Sequence, residues 1–181
     1  MTDTTALIVV DMQAGTLGGM PPEAAAAVSD RAVQLLHAFR AHDRPVVLAT
    51  VTGTPSGRTA YSEGARTWPA DWAASAPGFE PVDTDIAVDR VSWSALADPA
   101  VIAGLRDQGV DTVVIVGVAT SFGVESTARS AYDAGLNVVL PVDAMTDRSA
   151  EAHDLRIASV FPALGRVTDA AAVLEELTAA N

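Results

Sequence analysis

Residues 111–143 read DTVVIVGVATSFGVESTARSAYDAGLNVVLPVD, and this stretch decides the fold. Asp111–Ala119 is a continuous apolar run, the mark of a strand buried on both faces. From Gly123 to Asp133 the residues Val124, Thr127, Ala128 and Ala131 fall on one side of a helix, and Gly135 is a fitting stop. Leu136–Asp143 is a second apolar strand. Buried strands joined by a helix predict a mostly parallel sheet covered on both faces.

The pattern continues outward. Ala6–Asp11 is a short apolar strand that ends in an acid. Val28, Ala32, Leu35, Leu36 and Phe39 form one face of a helix whose start Pro21 and Pro22 mark. Pro45–Val51 reads as the next strand, and Asp85–Val88 as another just before Arg90. A helix is expected from about Ala150 to Val160, a short strand near Arg166–Val167 and a last helix over Asp169–Thr178. The less regular stretch Thr52–Glu80 carries Tyr61, Trp68 and Trp72. A loop of that length is a lid or an oligomer contact, unless its tryptophans simply pack it onto the body.

The 181 residues are expected to form one domain, 1–181, since the length suffices for a full core and no low-complexity tract intervenes. No apolar run reaches the roughly 18–20 residues of a membrane span, and the first residues do not read as a signal peptide, so the expected location is the cytoplasm. The net charge of −12 disfavours nucleic acid and anionic membranes as partners. Cysteine is absent, which removes disulfides and thiol nucleophiles together. Lysine is absent too; all eleven basic residues are arginine.

In parallel α/β sheets the site lies at the carboxyl ends of the strands. That rule selects Asp11, Thr52, Ala119–Gly123 and Asp143. Asp11 suits a general acid or base, or it orients a neighbouring loop. Arg90 alone reads as a surface cation or ion-pair partner, and Gly123 alone as a helix-start glycine. Of Asp143 and Asp147, one is expected to cap the following helix and the other to be solvated. Ser121 reads as a helix N-cap. His37, His42 and His153 share no metal spacing, so no metal is assigned. No dinucleotide, P-loop or nucleophile-elbow motif is present, and no cofactor is expected.

Three segments together resemble the isochorismatase-like hydrolase superfamily, which includes the cysteine hydrolases. They are ALIVVDMQ with Asp11, DRVSWSAL with Arg90, and the run from Val113 to Asp147, VVIVGVATSFGVESTARSAYDAGLNVVLPVDAMTD. The resemblance implies a three-layer αβα fold around a mostly parallel, six-stranded sheet. It implies a homodimer or homotetramer, and a site built from an acid, a lysine and a third position. Here the acid is Asp11, the lysine position holds Arg90, and the third position, cysteine in the amidases, holds Gly123. Nicotinamidase-type members carry metal ligands after the second strand; Ala49–Gly57 has none of them.

Amide hydrolysis in that superfamily needs a thiolate. True isochorismatases resemble this chain in having glycine at the turn, and they cleave a vinyl ether by protonating its enol carbon. The resemblance therefore implies a metal-free, cysteine-independent hydrolase of a small carboxylated substrate. Asp11 would be its acid or base, and Arg90 its electrostatic partner, binding a substrate carboxylate. A cis peptide is implied at Val118–Ala119, whose backbone N–H groups, with that of Gly123, would face developing negative charge. Trp93 and Phe122 would line an apolar wall, and Val51 stands where isochorismatases use a glutamine. The competing reading is a binding or scaffold protein that kept the fold and lost the chemistry.

Overall fold

The structure is a computed structural model and describes residues 4–179. The chain runs through β1 (Thr5–Val10), α1 (Ala14–Leu17), α2 (Pro22–Ala41) and β2 (Val46–Val51). A two-stranded hairpin, β3 (Gly53–Thr54) and β4 (Arg66–Thr67), and the short helix α3 (Ala70–Ala73) follow. Next come β5 (Ile86–Arg90), α4 (Pro99–Asp107) and β6 (Thr112–Val118). A π-helical turn (Thr120–Val124) leads into α5 (Glu125–Asp133) and β7 (Asn137–Pro141). The last elements are β8 (Met145–Thr146), α6 (Ala150–Ser159), α7 (Phe161–Leu164), β9 (Arg166–Thr168) and α8 (Ala170–Ala179).

The expected parallel sheet is present. Its order is β5-β2-β1-β6-β7-β9, six strands, each paired in parallel. A seventh, β8, pairs with the far end of β6 at Gly117 and Val118. The predicted strand Leu136–Asp143 is thus shorter than its apolar run. It stops at Pro141, makes a 3₁₀ turn over Val142–Ala144 and rejoins the sheet as β8. That detour delivers Asp147 to the carboxyl end of β6.

Alternate residues of each strand enter opposite cores, which is why the strands are apolar without a break. Leu7, Val9, Val114 and Val116 face α2 and α8, where Leu35, Phe39 and Val173 meet them. Ala6, Ile8, Val113 and Ile115 face the other layer, with Leu105 of α4, Ala128 of α5 and Phe161. The helix caps follow sequence signals: Pro22 opens α2, the Asp98 carboxylate accepts from Ala100 N–H at 2.9 Å ahead of Pro99, and Ser149 caps α6.

From β1 the chain first builds outward to β2 and β5, then returns to the other side of β1 as β6. The order reverses between β1 and β6, and such a switch point opens a crevice at the carboxyl ends. Asp11 follows β1 and the turn Thr120–Val124 follows β6.

Candidate active site

Asp11 leaves β1 in the left-handed region, with φ of 52°. Asp tolerates this better than most residues, at a cost of about 1–3 kcal/mol that neighbouring bonds must offset. Its N–H donates to Ala49 O at 2.9 Å, and its carbonyl accepts from Gln13 N–H at 2.8 Å and the Thr16 hydroxyl at 2.5 Å. The backbone twist turns the carboxylate away from solvent; Asp11 is only 6% exposed.

Arg90, read from sequence as a surface cation, is buried instead, at 8% exposure. It closes β5, two strands from Asp11, and its long side chain spans the carboxyl end of β2. Nη2 contacts both Asp11 oxygens, at 2.9 and 3.0 Å, while Nη1 donates to Ser92 O at 2.6 Å. Nε is buried with no hydrogen-bond partner. The guanidinium therefore spends its two terminal nitrogens inside the protein.

Two opposing effects act on the Asp11 proton. Burial raises its pKa, and the Arg90 charge, the Arg90 hydrogen bond and the Val51 backbone lower it. Burial wins, and the pKa is pushed up from 3.8 to about 6. About a tenth of the molecules would then carry the Asp11 proton at pH 7.

Gly123 faces this carboxyl group. A Cβ there would stand 3.2 Å from Asp11 Oδ2, 2.8 Å from Val10 Cγ1 and 3.5 Å from Val118 O. The peptide Val118–Ala119 is cis, as the resemblance implied. The turn is tied down from the β8 side, and Ser121 is not an N-cap. Its N–H and its hydroxyl both donate to Asp147 Oδ2, each at 2.7 Å. Asp147 is not solvated either, at 4% exposure; its other oxygen accepts from Arg148 N–H. Asp143 caps α8, accepting from Ala170 N–H at 2.7 Å, and pairs with Arg31. The His153 ring lies 2.9 Å from the Thr120 hydroxyl, and burial lowers its pKa.

Trp93 and Phe122 meet edge to face, with ring centroids 5.1 Å apart, and both are substantially exposed. Their contact joins the segment after Arg90 to the turn that holds Gly123. Val51 contributes its backbone rather than a polar side chain: its N–H donates to Gln13 Oε1 at 2.9 Å, and its carbonyl accepts from Gln13 Nε2 at 3.2 Å. Sequence reasoning gave Gln13 no role, although it follows Asp11 by two residues. The tryptophans of Thr52–Glu80 do pack onto the body. The Trp72 indole lies over Gly15, where a Cβ would come within 2.1 Å of the ring, and Trp68 stands 4.8 Å from Trp72.

The site gathers no metal-binding group: among the described residues no three His, Cys, Asp or Glu are placed to share an ion. No helix among them is long and apolar enough to cross a membrane. A groove of about 500 Å³ lies at the opposite end of the sheet, against Thr5, Thr112 and Asn137, the first residues of β1, β6 and β7. It has no part in the arrangement around Asp11.

Comparison with known proteins bears on the same residues. The Isochorismatase domain model matches residues 5–172. The chain is 35% identical to YecD of Escherichia coli O157:H7, an isochorismatase family protein, over 96% of each chain. It is 34% identical to the streptothricin hydrolase of Streptomyces noursei over 77% of this chain and 48% of that one. The structure of an isochorismatase family protein from Burkholderia thailandensis superposes with a TM-score of 0.90 and 31% identity, covering 98% of this chain and 97% of the other. With an acid, a cation and an empty third position assembled at the carboxyl ends of a matching sheet, the chain belongs to the isochorismatase family of hydrolases.

Proposed function

We propose that the protein hydrolyses an enol ether, or a related small carboxylated substrate, by acid catalysis from Asp11, without a thiol and without a metal. The observation that carries this reading is the Asp11 carboxyl group: buried, held by Arg90, with a pKa near 6 and only the Cα hydrogens of Gly123 beside it. A carboxyl group of that pKa is both available as an acid and strong enough to transfer a proton near neutral pH.

The chemistry balances without a protein nucleophile. Asp11 gives its proton to the terminal enol carbon, and the C=C pair forms the new C–H bond. The ether oxygen stabilises the resulting cation. Water adds to the cationic carbon, and the hemiketal collapses to a ketone and an alcohol. The proton released by water returns to Asp11. Arg90 holds the carboxylate that remains after transfer. Gly123 places no side chain beside Asp11, at the position where the amidases have cysteine. The backbone N–H groups at Val118–Ala119, with that of Gly123, would face negative charge on the substrate. Trp93 and Phe122 would flank its apolar part.

The reaction as written uses no cofactor. The assembly we take to be a homodimer or homotetramer; sedimentation showing only an 18.6 kDa species would reject that.

The test is pyruvate release from isochorismate, followed with lactate dehydrogenase, for the parent and Asp11→Asn. Release by the parent alone supports the reading. Release by neither removes isochorismate as substrate and moves attention to Val51, whose side chain offers no hydrogen bond. Equal release by both would remove Asp11 from the chemistry.

A further inference from the structure

Gln13 is 1% exposed, and both ends of its carboxamide are engaged. Oε1 accepts from Val51 N–H at 2.9 Å, while Nε2 donates to Val51 O at 3.2 Å and Ala73 O at 2.9 Å. A flipped amide would set its oxygen against two carbonyls, so the orientation is determined. These bonds reach two distant segments. Val51 ends β2 and is in register with Arg90 on β5, where Thr52 N–H donates to Arg90 O at 2.9 Å. Ala73 ends α3 in the tryptophan-bearing strap. Strap and loop pair further through Ala14 N–H to Ala74 O and Ala76 N–H to Met12 O, both at 2.9 Å.

The contacts close a ring. Asp11 holds Arg90, Arg90 pairs with Val51, Val51 holds Gln13, and Gln13 N–H returns to Asp11 O. A buried network of this kind transmits the loss of one member to the others. We infer that Gln13 is a positioning residue: its carboxamide sets β2, the Arg90 strand end and the strap relative to Asp11. This rests on the geometry and holds whichever reaction Asp11 performs.

Three variants test it with no substrate. In a Trp93→Phe background, acrylamide quenching reports only Trp68 and Trp72 on the strap. Carboxyl ¹³C NMR reports the Asp11 titration midpoint. Gln13→Ala should make the strap tryptophans several-fold more accessible and move the Asp11 midpoint by about half a pH unit or more, downward as water enters. Gln13→Glu should hold the strap more nearly as the parent does at pH 4, where a protonated carboxyl group accepts from Val51 N–H and donates one of the amide's two bonds. It should release the strap at pH 8, where a carboxylate would face two carbonyls. A folded Gln13→Ala with quenching and midpoint unchanged overturns the inference, even if its Tm is lower. Should Gln13→Ala fail to fold, Gln13→Glu decides: a strap still protected at pH 8 overturns it equally.

Discussion

Gly123 stands so close to Asp11 that a Cβ would lie 3.2 Å from Oδ2 and, on its other side, 2.8 Å from Val10 Cγ1. Val10 is fully buried and β-branched, so it has no easy retreat. Gly123→Ala is expected to destabilise by about 1–3 kcal/mol. Val10→Ala alone leaves a cavity and also destabilises. Combined, the two should couple favourably by about 1 kcal/mol, since the new methyl occupies the vacated space. Urea unfolding of the four proteins measures this. A Gly123→Ala variant as stable as the parent would show that the strand yields without cost.

The pH profile separates acid from base. Asp11 titrates near pH 6. As a proton donor it is active when protonated, so kcat/KM should fall as pH rises through about 6. As a base activating water it would act when ionised, and the profile would rise over the same range. A falling limb that persists in Asp11→Asn would mean that another group controls the rate.

Folding stability carries the same signature. The Asp11 pKa rises from its ordinary 3.8 to about 6 in the fold, so the native state binds this proton more tightly than the unfolded chain. The resulting stability is fully present below about pH 4 and is lost as pH rises through 6. The amplitude is about 3 kcal/mol. Subtracting the stability of Asp11→Asn from that of the parent, point by point from pH 4 to 7, removes the shared titrations. The difference should slope downward with pH. A flat difference would mean that Asp11 is as well solvated as in an unfolded chain.

How much of this was legible depended on how locally each feature is encoded. The strands were readable because both faces of the sheet are covered, which makes Val113–Val116 apolar without alternation. Asp11 was readable because it ends such a run. Arg90 was singled out because it stands at the lysine position of the family, but its burial was not visible. Its partner lies 79 residues away, and only the strand order brings them together. The partners of Gln13 are 38 and 60 residues distant, so no window of sequence contains them. The helix α4 went unread although Asp98 and Pro99 announce it, because Leu105 is its only fully buried position and the periodicity is weak. The break between β7 and β8 is marked only by Pro141, in an apolar run that otherwise reads as one strand.

Arginine in place of lysine has a testable consequence. Arg90→Ala leaves the buried Asp11 carboxylate without its cation, which is expected to cost about 3–5 kcal/mol near pH 7. Less is lost at pH 5, where Asp11 is mostly protonated. Arg90→Lys keeps a charge for Asp11, but a single ammonium must serve both Asp11 and Ser92 O. It should cost about 1 kcal/mol. Thermal unfolding at the two pH values gives the comparison; equal losses for both variants would mean that the two-armed guanidinium geometry, rather than charge or stem packing, is what Arg90 supplies.

The Ser121–Asp147 clamp makes the last prediction. One oxygen of a buried carboxylate receives both the N–H and the hydroxyl of Ser121, so a single side chain holds the turn that carries Gly123. Asp147→Ala leaves both donors without that acceptor in a partly buried setting, with an expected loss of about 1–2 kcal/mol. Asp147→Asn retains an oxygen able to take both bonds and should lose less than half as much. Because the turn also sets the distance from Gly123 to Asp11, the alanine variant should shift the Asp11 titration toward its ordinary value as water gains entry. The asparagine variant should not. Unfolding in urea and carboxyl NMR measure the two effects separately. A stable Asp147→Ala with Asp11 unmoved would show that β8 pairing and the His153–Thr120 contact hold the turn unaided.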